Sequence, residues 1–283
     1  MRQDRPSLTA HRVALSRAAH QLFDDPRVLD DPIALRILGE PAAHDIHVSR
    51  KRFAGKFARH LRAFLVARSR VAEDALGQAV GRGVHQYVIL GAGLDTFAYR
   101  NPYADTVLQV LEVDHPATQA WKRRLLSAAG ISIPASLHFV PIDFETQTLA
   151  EELRHAGFST EEPAFFSWLG VSMYLTREAI VDTLRFVARL PQGSGIVFDY
   201  AVAPQSLSFL RRMIAGALLR RVASVGEPWK TFFEPRQLAD ELTALGFGHI
   251  EDFGAAELNA RFFTGRSDEL SIAGFGRLIS ARM

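Results

Sequence analysis

Gly91 and Gly93 flank one alanine at the end of the apolar run Tyr87-Val88-Ile89-Leu90, and an acid, Asp95, follows two residues on. A strand that empties into such a turn lets a ligand touch the backbone, because neither glycine carries a Cβ. A dinucleotide fingerprint would place glycine or alanine where Thr96 stands. Asp95 would repel a pyrophosphate but not a cationic or zwitterionic amino acid, which favours a nucleoside bearing an amino acid over NAD. Two more acids follow the next two apolar runs. Asp114 closes Leu111-Glu112-Val113-Asp114, about 20 residues after the glycines, where a carboxylate can accept both hydroxyls of a ribose. Glu112 points to the same face of that strand and is the alternative. Asp143 and Phe144 follow a third run, placing an acid for an exocyclic amine beside a ring that can stack on a base.

Strands must carry these residues to one edge. Apolar runs over Tyr87 to Leu90, Val107 to Val113, Leu137 to Pro141, Ala164 to Val171 and Gly195 to Tyr200, with weaker ones near His249 and Leu278, alternate with helical patterns. That alternation predicts an α/β fold with a doubly wound, mostly parallel seven-stranded Rossmann-like sheet. Pro116 can open a helix that stops near Gly130, and Thr176 can cap one with Ile180, Leu184 and Val187 inward. Pro235 can open another, with Leu238, Leu242 and Leu245 inward before Gly246. Residues 1–80 show no period-2 run, while Phe57, Leu61, Phe64, Leu65, Val71, Ala75 and Leu76 recur at helical spacing, so a helical N-terminal cap is expected. Residues 205–233 are too long for an ordinary connection and read as a helical insertion or lid before the last helix. One domain results, with residues 84–204 and 234–283 as its core.

Composition narrows the function. A 283-residue chain that is 48% hydrophobic buries an ample core, and a formal net charge of +2 gives no reason to expect nucleic acid as a partner. With no cysteine there is no thiolate nucleophile or thiolate metal site. His44 and His47 are the only close histidine pair and lack a carboxylate at ligand spacing, so no metal is expected. No apolar run approaches the roughly 18 residues of a spanning helix, and the first residues lack a secretory signal core, so a cytoplasmic protein without a membrane partner is expected.

The segments HQLFDDPRVLDDPIALRIL, ARSRVAEDAL, LGAGLDTFAYR, EVDHPATQAWKRRLL, FVPIDFE, WLGVSMYLT and FEPRQLADELTALGF span nearly the whole chain. Together they resemble the leucine carboxyl methyltransferase-like family of class I S-adenosylmethionine-dependent methyltransferases, which includes bacterial enzymes of polyketide tailoring. The resemblance implies S-adenosyl-L-methionine as cofactor, with Gly91 and Gly93 meeting its methionine part near Asp95. It implies Asp114 on the ribose, Asp143 and Phe144 on adenine, and Arg68 on the methionine carboxylate. A guanidinium suits a carboxylate bidentately, and Arg70 is the fallback.

Two departures from the family stand out. Asp95-Thr96-Phe97 replaces the usual Asp-Thr-Arg, and Leu169 stands before Gly170 where relatives carry an acid beside the cofactor. Leucine there implies a more apolar acceptor pocket or weakened activity. Methyl transfer from a sulfonium requires collinear alignment and exclusion of water more than acid–base chemistry. A carboxylate acceptor, ionised at neutral pH, needs no general base, whereas a phenol benefits from one. Tyr174 and Tyr200 are the acceptor-side candidates, and both also suit a core role. The pairs Arg211-Arg212 and Arg220-Arg221 could attract an acidic acceptor. The expected activity is O-methyl transfer to a small-molecule carboxylate or hydroxyl in secondary metabolism. The alternatives are a nicotinamide-dependent oxidoreductase and a non-catalytic S-adenosylmethionine-binding homologue. The sequence assigns no oligomeric state.

Overall fold

The computed structural model describes residues 8–143, 146–206 and 229–283. Its seven strands are β1 (Gln86–Leu90), β2 (Gln109–Asp114), β3 (Leu137–Pro141), β4 (Ala164–Trp168), β5 (Gly195–Ala201), β6 (His249–Phe253) and β7 (Gly276–Arg282). They form one sheet in the order β3-β2-β1-β4-β5-β7-β6. Pairing is parallel from β3 through β5, and β7 lies antiparallel between β5 and β6. Every residue of β1, β4 and β5 is buried, as expected of central strands covered on both faces, and this explains their unbroken apolar runs.

Helices flank both faces. On one side α7 (Leu149–His155), α8 (Arg177–Ala188) and α9 (Pro235–Leu245) bury Leu153, Ile180, Leu184, Leu238 and Leu242 against Val88, Phe166 and Phe198. On the other, α5 (Lys56–Gly81) and α10 (Ala255–Phe262) bury Ala63, Val66, Ala67 and Leu258 against Tyr87, Ile89 and Val197. The expected helix signals operate: Thr176 Oγ1 accepts from the Ala179 amide at 3.3 Å, and Gly246 ends α9 at φ +108°.

The cap comprises α1 (Leu8–Phe23), α2 (Ile33–Arg36), α3 (Gly39–Val48) and α4 (Arg50–Ala54), with α6 (Pro116–Ala128) packed beneath it through Leu126, Ala14, Ile33 and Ile37. The long helix α5 leaves this cap and lies directly on the sheet. Its buried face mixes small residues, Ala63, Ala67, Ala72 and Ala79, with Leu65, Val66, Val71 and Leu76, while Phe57 and Leu61 face outward. Strand β4 stops at Trp168, three residues before the apolar run does, because Gly170 turns the chain at φ +77°. Most of the expected insertion, with Arg211, Arg212, Arg220 and Arg221, lies outside the described residues, as does Phe144.

Candidate functional site

The strand order reverses direction between β1 and β4. In an open α/β sheet the crevice for ligands lies outside the carboxyl ends of the strands at that switch. The turn after β1 and the turn after β4 meet there: a Cβ on Gly91 would collide with Val171. Gly91 and Gly93 adopt φ +67° and +52°, and the amides of Gly91 and Ala92 donate to the Val113 carbonyl at 2.8 and 3.1 Å. Left-handed geometry at both positions explains why neither tolerates a side chain. Ala10 of α1 would lie 3.1 Å from a Cβ on Gly93, so the cap forms one wall of the turn.

Asp114 ends β2 beside this turn. Its carboxylate accepts from the Gly93 amide at 2.5 Å and the His115 amide at 2.6 Å. Burial raises its pKa, and those two amides oppose the rise. The Ile142 amide donates to the Asp114 carbonyl at 2.9 Å, which draws Asp143 to the same edge. Asp143 is half-buried, and its backbone amide donates to Gln147 Oε1 at 3.0 Å. Glu112, the alternative ribose acid, is withdrawn from the crevice: it is fully buried and paired with Lys122 Nζ at 2.6 Å. Burial pushes its carboxyl up to about 7 against the pull of Lys122.

Asp95 does other work than the sequence suggests. Its carboxylate accepts from Arg17 Nη1 of α1 at 3.0 Å and from the Phe97 amide at 2.8 Å. Arg17 Nη2 reaches Asp31 at 2.7 Å and Thr96 at 2.9 Å, while Arg100 pairs with Glu73 and approaches Asp31 at 3.3 Å. This buried network fastens the cap to the glycine turn. Burial alone would raise the Asp95 pKa, but Arg17, Lys122, the Phe97 amide and Arg100 bring it below the ordinary carboxylate value.

Beyond β4, Arg68 of α5 is 6% exposed and donates through Nη1 to Asp199 of β5 at 2.6 Å. Its Nε has no hydrogen-bond partner among the described residues, although it is buried. The fallback, Arg70, faces outward and pairs with Asp74. Leu169 is partly buried against the α5-side core. Tyr174 is half-buried on the turn after β4 and packs against the opposite, α8-side core. Tyr200 is corrected to that core as well: it is 1% exposed, and its hydroxyl donates to Asp252 Oδ2 at 2.7 Å. Strand alternation sends Asp199 and Tyr200 to opposite faces of the sheet. His44 and His47 are exposed on α3, and no group of three or more candidate metal ligands occurs among the described residues.

Sequence reasoning missed Arg17, Asp31 and Asp199. A signal existed for Asp199: it is an acid in the buried run Ile196-Val197-Phe198-Asp199-Tyr200, where a charge requires a partner. Arg17 and Asp31 carried no comparable signal.

This sheet order, with a glycine turn after β1 and acids after β2 and β3, is the arrangement of the class I methyltransferases. The family model for leucine carboxyl methyltransferase matches residues 10–188, and the chain belongs to that family. Among its relatives is the Bacillus subtilis (strain 168) protein YktD, provisionally named an S-adenosyl-L-methionine-dependent methyltransferase, at 35% identity over 96% of each chain. A Mycobacterium marinum protein with the same provisional name is 33% identical over 70% of this chain and 67% of its own. Two crystal structures share the fold. A provisionally assigned methyltransferase of Thermobifida fusca gives a TM-score of 0.57 at 16% identity, covering 98% of this chain and 95% of that one. A duf574 family protein of Streptomyces avermitilis gives 0.54 at 17% identity, covering 94% and 96%.

Proposed function

We propose that the chain is a cytoplasmic enzyme that transfers a methyl group from S-adenosyl-L-methionine to oxygen of a small-molecule carboxylate or hydroxyl, in secondary metabolism. The observation that carries the donor side is the meeting of Gly91, Gly93, Asp114 and the unpartnered edge of Arg68 at one switch point. Those residues fit the cofactor: a carboxylate for the ribose, a bare backbone, and a buried guanidinium with an unpartnered N–H for the methionine carboxylate. Asp143 and Phe144 are assigned to adenine by the family position.

When bound, the cofactor supplies an electrophilic methyl group on a sulfonium. The protein's part is to hold the donor against the glycine turn, keep water out and present the acceptor oxygen in line. Transfer would exchange the donor's sulfur–carbon bond for an oxygen–carbon bond and release a neutral thioether, and a hydroxyl acceptor, unlike a carboxylate, would also have to give up its proton. An ionised carboxylate needs no base for this step, which agrees with the removal of Tyr200 from the acceptor side. Leu169, an apolar residue beside Gly170, favours an acceptor with an apolar body. Neither nucleic acid nor a membrane surface forms part of this reading.

Calorimetry with S-adenosylhomocysteine tests the donor side: the unaltered protein binds, and Asp114→Ala weakens binding strongly. Incubation with methyl-labelled cofactor and a metabolite extract tests the acceptor side. Label in alkali-labile esters or in aryl ethers supports the proposal. Label only on nitrogen, sulfur or protein overturns the O-methyl assignment, and the absence of any transfer favours a non-catalytic homologue marked by Leu169.

A further inference from the structure

We infer that Asp199 is the positioning residue for the methyl donor's amino-acid end, acting through Arg68 and Gly170 and without touching the donor itself. This rests on the donor site proposed above. Asp199 is 1% exposed, and each of its carboxylate oxygens has one task. Oδ2 accepts from Arg68 Nη1 at 2.6 Å, and Oδ1 accepts from the Gly170 amide at 2.5 Å. Its backbone carbonyl accepts from Ser172 Oγ at 2.5 Å. One acid on β5 therefore ties the helix that carries Arg68 to the turn that follows β4.

The geometry of the guanidinium gives this tie its purpose. A Cβ on Gly170 would stand 2.9 Å from Arg68 Nη2, 3.0 Å from Nη1 and 3.3 Å from Cζ, so the Nη1–Nη2 end of the guanidinium abuts a residue that must be glycine. With Nη1 taken by Asp199, the Nε–H is left buried and without a partner among the described residues. A buried donor left unsatisfied costs free energy, which points to a ligand that completes it. The side-on edge of Nε and Nη2 is the fork that a carboxylate engages bidentately.

Charge gives Asp199 a second role. A buried arginine without a counter-ion would be costly to keep in place, and Asp199 makes the pair neutral before any ligand arrives. The donor carries a carboxylate, an ammonium and a sulfonium, for a net charge of +1, and its product, having lost the sulfonium charge, is neutral. With Asp199 ionised the pair adds no net charge to either complex. Without it, both complexes gain one positive charge, and the cationic donor suffers more than the neutral product.

The test compares three ligands on the purified protein: S-adenosylmethionine, S-adenosylhomocysteine and methylthioadenosine, which lacks the amino-acid end. Asp199→Asn can accept through only one side-chain oxygen and turns an amide N–H₂ toward either Arg68 or Gly170. It is expected to weaken S-adenosylhomocysteine about tenfold or more, S-adenosylmethionine further still, and methylthioadenosine by no more than about twofold. Gly170→Ala presses on the guanidinium without altering charge. It should weaken both amino-acid-bearing ligands alike while sparing methylthioadenosine, so the inference stays testable if Asp199→Asn fails to fold. Equal losses for all three ligands in both variants mean that Asp199 serves only the core, and overturn the inference. If the unaltered protein binds none of the three, the methyl-donor reading itself fails, and this one with it.

Discussion

The two banks of the crevice are built on different principles. On the bank formed by β1, β2 and β3, backbone does the work: bare glycines turn the chain, and Asp114 is held by two amides that lie within reach along the sequence or across one strand pair. On the bank formed by β4 and β5, side chains do it, with Arg68 and Asp199 meeting across 131 residues of sequence. A backbone bank is stiff, and its shape rests on few side chains, with Asp114 the one aimed at the ligand. A side-chain bank depends on each partner being present. The cap network of Arg17 with Asp31 and Asp95 is of the second kind, although it serves the first bank.

The largest effect that could break this contrast is expected at Arg17. Arg17→Ala takes from Asp95 its ion-pair partner and leaves fully buried Asp31 with only Arg100, at 3.3 Å, and should destabilise the fold by about 3–5 kcal/mol, measured by denaturant unfolding. A loss below about 1 kcal/mol would show that the backbone alone holds the glycine turn. Next comes Asp114→Ala, expected to weaken donor binding by about 100-fold in calorimetry, because two charge-assisted acceptor positions vanish. Its unfolding free energy should move far less than that of Arg17→Ala.

Tyr200→Phe sharpens the comparison from outside the crevice. It removes one hydroxyl from the Asp252 and Arg277 cluster and should cost about 1 kcal/mol of stability while leaving turnover intact. Lost turnover at unchanged stability would return Tyr200 to the acceptor pocket. The smallest effect is a slope with pH. Burial holds the Glu112 carboxyl higher in the folded chain than the ordinary 4.5, at about 7. The folded state therefore binds more protons than the unfolded state between those values. The contribution is full below about 4.5 and is lost as pH rises through about 7. Glu112→Gln should flatten the fall in stability over that window, measured by denaturant unfolding at pH 5 and pH 8.

The contrast also explains what was legible in the sequence. Gly91, Gly93, Asp114 and Asp143 each follow an apolar run directly, so strand and site share one local signal. The strands themselves were legible because burial on both faces leaves continuous apolar runs. Arg68 was placed by family position, but its partner was not, because pairing between α5 and β5 is written in no spacing. Asp95 carried a misleading signal: its place after the glycines suggested the ligand, while its carboxylate belongs to Arg17. Of the apolar residues at helical spacing on α5, Leu65, Val71 and Leu76 are buried beside its alanines, whereas Phe57 and Leu61, toward its first turns, are exposed.

The reversed strand β7 has a consequence for how the chain reaches this state. Strand β6 has no neighbour in the sheet except β7, which follows it in sequence and then threads between it and β5. During synthesis β6 and its flanking helices therefore wait beside an open β5 edge until residues 276–282 emerge. Such long-range closure is slow and leaves an unpaired edge open to other chains. Tyr200, Asp252 and Arg277, one from each of the three strands, meet only when that strand is home. Their cluster reports completion of the sheet, and slow refolding accompanied by aggregation is the expected signature of a chain caught before it forms.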